Sequence, residues 1–237
     1  WTCMKNETFP LSPHNNFVWL LFAILSLYLA SALTAQLYTT TIEAIMDMAL
    51  TAIVLLSIWS VAVDRLSFSV RFSITVLLIL LELCELVFEH YHLRTAHLAF
   101  LLAFTLATIA MAGRQVLLTG TVNFNKIVGS ICIYLLIGMA WAFAYLLVER
   151  IFPGSIPRLG GDYWRENWQD ALYFSYVTLT TLGYGDVFPK QPVGRCLAYM
   201  QAVVGQFYIA ILVASLVGAR INYESGRETS SQNDQDL

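Results

Sequence analysis

Apolar residues along this chain are gathered into blocks separated by short polar punctuation. The blocks 17–37, 95–113 and 127–148 carry no charged side chain. Block 44–63 contains only Asp47, block 72–88 contains Glu82 and Glu85, and block 193–220 has Arg195 near its start and Arg220 at its end. Each approaches the length an α-helix needs to cross hydrocarbon, about 20 residues. The pattern predicts six transmembrane helices with both termini on one side. A further apolar stretch, 171–182, is only about half that long, which suits a helix that enters the membrane and turns back. The fold class expected is an all-α membrane protein: a four-helix N-terminal bundle, then two spans flanking a re-entrant helix.

Composition agrees with this pattern. Apolar residues make up 58% of the 237 and charged residues 12%, against about 25% charged in soluble domains. The net charge of −3 includes no basic patch, so nothing points to nucleic acid. Membrane lipid is the expected surrounding. Cys3, Cys84, Cys132 and Cys196 lack metal-ligand spacing and read as buried free thiols. Block 17–37 is too long for a signal-peptide core and lacks a basic cluster before it. Among the short loops, Arg65, Arg71, Arg114 and Lys126 outweigh Arg94 in placing the N-terminus inside. The long segment 149–192, with Arg150, Arg158, Arg165 and Lys190, then lies outside. The cell membrane with both termini cytoplasmic is the expected location. On that side Asn6-Glu7-Thr8 is a chance match to a glycosylation triplet.

The chemistry is concentrated in Thr180-Thr181-Leu182-Gly183-Tyr184-Gly185-Asp186. Turning successive carbonyls the same way requires positive φ at intervals, and Gly183 and Gly185 accept it without steric cost. Four such strands around an axis replace the hydration shell of a potassium ion with rings of oxygen. Before the run, Pro153, Gly154, Pro157, Gly160 and Gly161 interrupt the loop 150–167. Asn167 or Asp170 then offers a cap for a short helix whose C-terminal dipole favours a cation. Pro189 and Pro192 punctuate the return to the last span.

Over about 95 residues this order resembles the pore of bacterial potassium channels, and Tyr173 to Asp186 followed by Ala202-Val203-Val204-Gly205-Gln206 resembles bacterial six-transmembrane potassium channels with a two-helix pore domain. The resemblance implies that Thr181, Leu182, Gly183 and Tyr184 donate the carbonyls that bind K⁺, with the Thr181 hydroxyl closing the innermost site. It implies that Tyr173 and Phe174 brace the filter from behind, that Gly185 and Asp186 complete its outer mouth, and that Gly205 marks a bend in the pore-lining helix. Close helix packing is the other reading of Gly205. Val177 stands where related channels place a glutamate, so inactivation through a carboxylate pair is not expected. With one filter per chain, a closed ring needs four chains, most simply a homotetramer. No cofactor is expected beyond the permeant ion.

The resulting division is an N-terminal segment 1–16, a bundle 17–121, a pore domain 122–220 and a disordered polar tail 221–237. The termini leave no room for a ligand-binding gating module. The bundle resembles a voltage sensor in helix number alone. Voltage sensing moves charges through the field, each worth about 2.3 kcal/mol per 100 mV, and block 95–113 has no Arg or Lys. Glu82, Glu85 and Glu89 share a helical face, with Glu82 about 16 Å deep at 1.5 Å per residue. Asp47 falls at a depth similar to Glu85. These residues read as a structural polar network or as a proton-responsive site; proton, lipid or tension gating, or constitutive opening, all fit the sequence. Two other classes fit less well. A membrane metalloenzyme would use Glu89, His90, His92 and His97, which lack a His-Glu-x-x-His pattern. A coupled potassium transporter would carry four degenerate filter repeats.

Overall fold

The computed structural model describes residues 16–36, 91–118, 124–161 and 166–233. Blocks 44–63 and 72–88, and with them Asp47, Glu82, Glu85, Glu89 and His90, lie outside the described residues. So do Cys3 and Cys84. Every regular element among the described residues is helical: α1 (Asn16–Gln36), α2 (Tyr91–Leu118), α3 (Phe124–Ile151), a 3₁₀ turn (Pro157–Leu159), α4 (Trp168–Leu179) and α5 (Pro192–Asn233). Among the described residues, helices α2, α3 and α5 each contain a stretch long and apolar enough to cross a membrane, and α1 carries a shorter apolar run, Phe17–Leu33.

Helix α3 is the hub, packed against α1, α2, α4 and α5. Two contacts fix α2 and α3 as antiparallel. Thr95 at the start of α2 accepts a hydrogen bond from Arg150 Nε near the end of α3, at 2.9 Å. At the other end Val116 packs within 2.8 Å of where a Cβ on Gly129 would sit. Helix α1 runs parallel to α3, because the Phe17 carbonyl accepts from Cys132 Sγ while Tyr28 reaches the Leu135 carbonyl. The core is built of Leu20, Ile24, Leu27, Leu98, Leu136, Phe143, Tyr145 and Trp168, all nearly inaccessible. Phe143 stacks on Trp168 with centroids 4.8 Å apart. Apolar packing of this kind supplies the contact energy where lipid removes the hydrophobic drive between helices.

Two helix ends and one cysteine differ from the sequence pattern. Helix α4 starts at Trp168, with Asn167 at the N-cap position making no side-chain cap. Asn167 Nδ2 instead donates to the Gly160 carbonyl, and Asp170 pairs with Arg158 at 2.9 Å, so neither candidate caps. Helix α5 continues to Asn233 over 42 residues, correcting the expectation of a disordered tail as far as that residue. The stretch after Arg220 contains no proline to stop the helix, although Gly226 and its Ser, Thr and Asn residues are poor helix formers. Cys132 is fully buried as expected, whereas Cys196 is only half-buried.

Candidate functional site: a half-length helix and the strand that follows it

Helix α4 enters beside the end of α3 and stops halfway along it. Ser175 Oγ donates to the Gly138 carbonyl at 2.6 Å, and Tyr176 Oη donates to the Leu135 carbonyl at 2.6 Å. Its last buried residue, Leu179, lies opposite Tyr134. This is the re-entrant geometry expected from the apolar half-length block. A 12-residue helix is about 18 Å long at 1.5 Å per residue, too short to cross and long enough to reach the centre.

Beyond α4 the backbone alternates. Thr181, Gly183 and Gly185 have φ of +59°, +60° and +80°, and Leu182 and Tyr184 between them do not have positive φ. Left-handed residues at every second position turn successive peptide N–H groups to one side and the carbonyls to the other. The side taken by the N–H groups is fixed by two bonds, from Leu182 N (2.9 Å) and Gly183 N (3.2 Å) to the Val177 carbonyl of α4. The carbonyls therefore face away from the helix. The negative end of the α4 dipole adds to their attraction for a cation. Gly183 and Gly185 behave as the sequence predicts. Thr181 was not predicted to need positive φ, a strained state for a β-branched residue and among the described residues the only non-glycine case.

The surroundings hold this strand at both ends. Tyr173 Oη donates to Asp186 Oδ1 at 3.1 Å, and its ring lies 6.4 Å from that of Tyr184 at an interplanar angle of 6°. Phe174 is buried instead against Tyr145, at 4.7 Å. At the inner end Gln206 Nε2 donates to Thr181 Oγ1 at 3.4 Å. Val177 is buried, and its contribution to the strand is through its carbonyl. Gly205 lies where α5 crosses the end of α4, and a Cβ there would overlap the Leu179 carbonyl. Close approach thus accounts for glycine at this position, and α5 runs through it as unbroken helix.

Several anchoring residues carry no local signal in the sequence. Gln201 is fully buried; its Nε2 donates to the Ser175 carbonyl (3.0 Å) and Oγ (2.7 Å), and its Oε1 accepts from Tyr145 Oη (2.5 Å). One amide thus ties α3, α4 and α5 together with its polar atoms satisfied. Glu149, buried near the end of α3, accepts from Gly154 N at 2.7 Å and Ile156 N at 2.5 Å, folding the loop back over the helix. The partners of both depend on tertiary contacts. For the metalloenzyme alternative, His97 is buried in α2, and among the described residues no three metal-ligating side chains come together.

Residues 130–220, which contain α4, the strand and the membrane part of α5, match a family model described as "Ion channel". The chain is 33% identical over 92 residues to the inward rectifier potassium channel Kirbac3.1 of Paramagnetospirillum magnetotacticum, covering 37% of this chain and 27% of that protein. It is 30% identical over 95 residues to a voltage-gated potassium channel of Aeropyrum pernix, covering 40% and 28% respectively. It is also 36% identical over 85 residues to potassium voltage-gated channel subfamily A member 6 of Mus musculus, covering 36% and 13%. The chain thus spans 13% to 28% of the length of these relatives. No solved structure matches it.

Proposed function

We propose that the chain is one subunit of a homotetrameric channel that conducts potassium passively across the cell membrane. The observation that carries this reading is the left-handed backbone at Thr181, Gly183 and Gly185, with the N–H groups of Leu182 and Gly183 turned back onto the Val177 carbonyl, an alternation that turns the carbonyls the other way. Four copies around an axis present rings of oxygen from Thr181, Leu182, Gly183 and Tyr184, and dehydrated K⁺ is the cation such rings replace water around. Potassium channels among the similar proteins point the same way.

Assembly into a ring is supported by what a single chain leaves uncovered. In the most apolar stretch of α5 11% is buried, against 56% in α3. Tyr199, Val203, Phe207 and Ile211 stand exposed along α5, as do Leu182 and Tyr184 in the strand. Neighbouring copies bury one face of α5, and the axis takes the other. The termini are cytoplasmic in this arrangement, and α2 carries Arg94 and Arg114 only toward its ends, so opening depends weakly on voltage.

Reversal potentials of the purified protein in planar bilayers test the reading. Under opposed potassium and sodium gradients the current reverses near the potassium equilibrium potential. Equal permeability to the two ions overturns the assignment.

A further inference from the structure

Helix α1 precedes α4 by a long stretch of chain, yet two of its polar side chains, Tyr28 and Ser31, are bonded to α4. Tyr28 Oη donates its one proton to Tyr176 Oη and lies 3.3 Å from the Leu135 carbonyl oxygen. The same carbonyl accepts from Tyr176 Oη at 2.6 Å. The Tyr28 and Tyr176 rings meet edge to face with centroids 5.6 Å apart. One turn further along α1, Ser31 is almost fully buried and its Oγ accepts from Gln169 Nε2 in the first turn of α4 at 2.5 Å. Helix α1 therefore grips α4 at its beginning and again just before its end.

The second grip lies one residue from the point that holds the strand. Tyr176 O accepts from Thr180 N at 2.9 Å and from Thr180 Oγ1 at 2.7 Å, and the adjacent Val177 O accepts from Leu182 N and Gly183 N. Room for the Tyr176 ring is made by Gly138 of α3, where a Cβ would overlap the ring. Packing of α4 against α3 is thus built around Tyr176, and Tyr28 is the partner that satisfies its hydroxyl from the first helix. With a valine at 177, no carboxylate from that position stands behind the strand.

We propose that Tyr28 is a positioning residue for ion conduction: through Tyr176 it holds the last turn of α4, and with it the carbonyl strand 181–185, in the conducting arrangement. This rests on the channel reading above. Helix α1 is then part of the conduction machinery of its own chain, and a displacement of α1 along α3 changes how long the strand stays open.

A double-mutant cycle in the full chain tests this, with single-channel burst duration as the readout. Tyr28→Phe and Tyr176→Phe keep both rings and remove one hydroxyl each, so packing is retained. Tyr28→Phe is expected to shorten bursts by about fivefold, the factor carried by one net hydrogen bond of ordinary strength, and Tyr176→Phe, which also loses the bond to the Leu135 carbonyl, by at least as much, while unitary conductance and tetramer yield stay at parental values. The double variant is expected to match Tyr176→Phe alone, because Tyr28 acts through the Tyr176 hydroxyl. Parental burst durations in both single variants, or fully multiplicative effects in the double, overturn the proposal. So does a loss of tetramer yield that parallels the shorter bursts, which assigns the pair to assembly alone. Recordings use whichever cation the parent carries. A parent that passes sodium as freely as potassium overturns the potassium reading and leaves the Tyr28 test intact.

Discussion

At the scale of single residues, the strand 180–186 depends on where side chains are absent. Gly183 sits at φ +60° with open space around its Cα, so the barrier to alanine is conformational and not steric. Gly183→Ala costs about 1 kcal/mol per chain and acts in every subunit of a ring. Loss of selective conduction with retained expression is the expected outcome, read from reversal potentials and tetramer yield. Gly205 is the opposite case. Its φ is unremarkable, but a Cβ would overlap the Leu179 carbonyl, which is backbone and cannot rotate away. Gly205→Ala is expected to separate α5 from α4 and destabilise the fold by about 1–3 kcal/mol, measured as a lowered thermal midpoint in detergent. The need for glycine at 183 and 185 was legible from the sequence because spacing alone demands positive φ. The positive φ of Thr181 was not, since local sterics argue against it and only the continued alternation imposes it.

At the scale of elements, the helices were legible wherever lipid dictates the pattern. The three blocks without charge became α1, α2 and α3, block 193–220 became the membrane part of α5, and half-length apolarity marked α4. What could not be read was the polar wiring between them. Gln201 looks like an interruption in an apolar helix, yet it satisfies Ser175 and Tyr145 across two neighbours. Gln201→Leu strands those partners in a dry interior, at about 1–3 kcal/mol for each buried group left unsatisfied. A fall in thermal stability larger than that of Gln201→Glu at low pH, where a protonated carboxyl keeps a donor and an acceptor, is the expected result. Glu149 makes the same point at the end of α3, because its partners are backbone N–H groups that no sequence pattern specifies. Glu149→Ala is expected to speed amide exchange at Gly154 and Ile156, read by hydrogen–deuterium exchange, while amides in the middle of α3 remain protected.

At the scale of the whole molecule, the weak voltage dependence proposed above rests on α2. Between Thr95 and Gly113 it carries no Arg or Lys, and each elementary charge that fails to move removes about 2.3 kcal/mol of drive per 100 mV. A conductance–voltage relation with an apparent gating charge near one or below is expected, and a steep relation lost on neutralising Arg94 or Arg114 would contradict it.

The pairing of α1 with α4 has a consequence for how this chain can be divided. Excision of residues 122–220 would leave the Gln169 amide without Ser31 and the Tyr176 hydroxyl with the Leu135 carbonyl but without Tyr28. Each stranded polar group is costly where no water can replace the lost partner. The seam suggested by the sequence between bundle and pore is therefore not a place where the molecule separates cleanly. Grafts that exchange the front half of this chain will need to carry α1 along with the helices α3 and α4 it was fitted to.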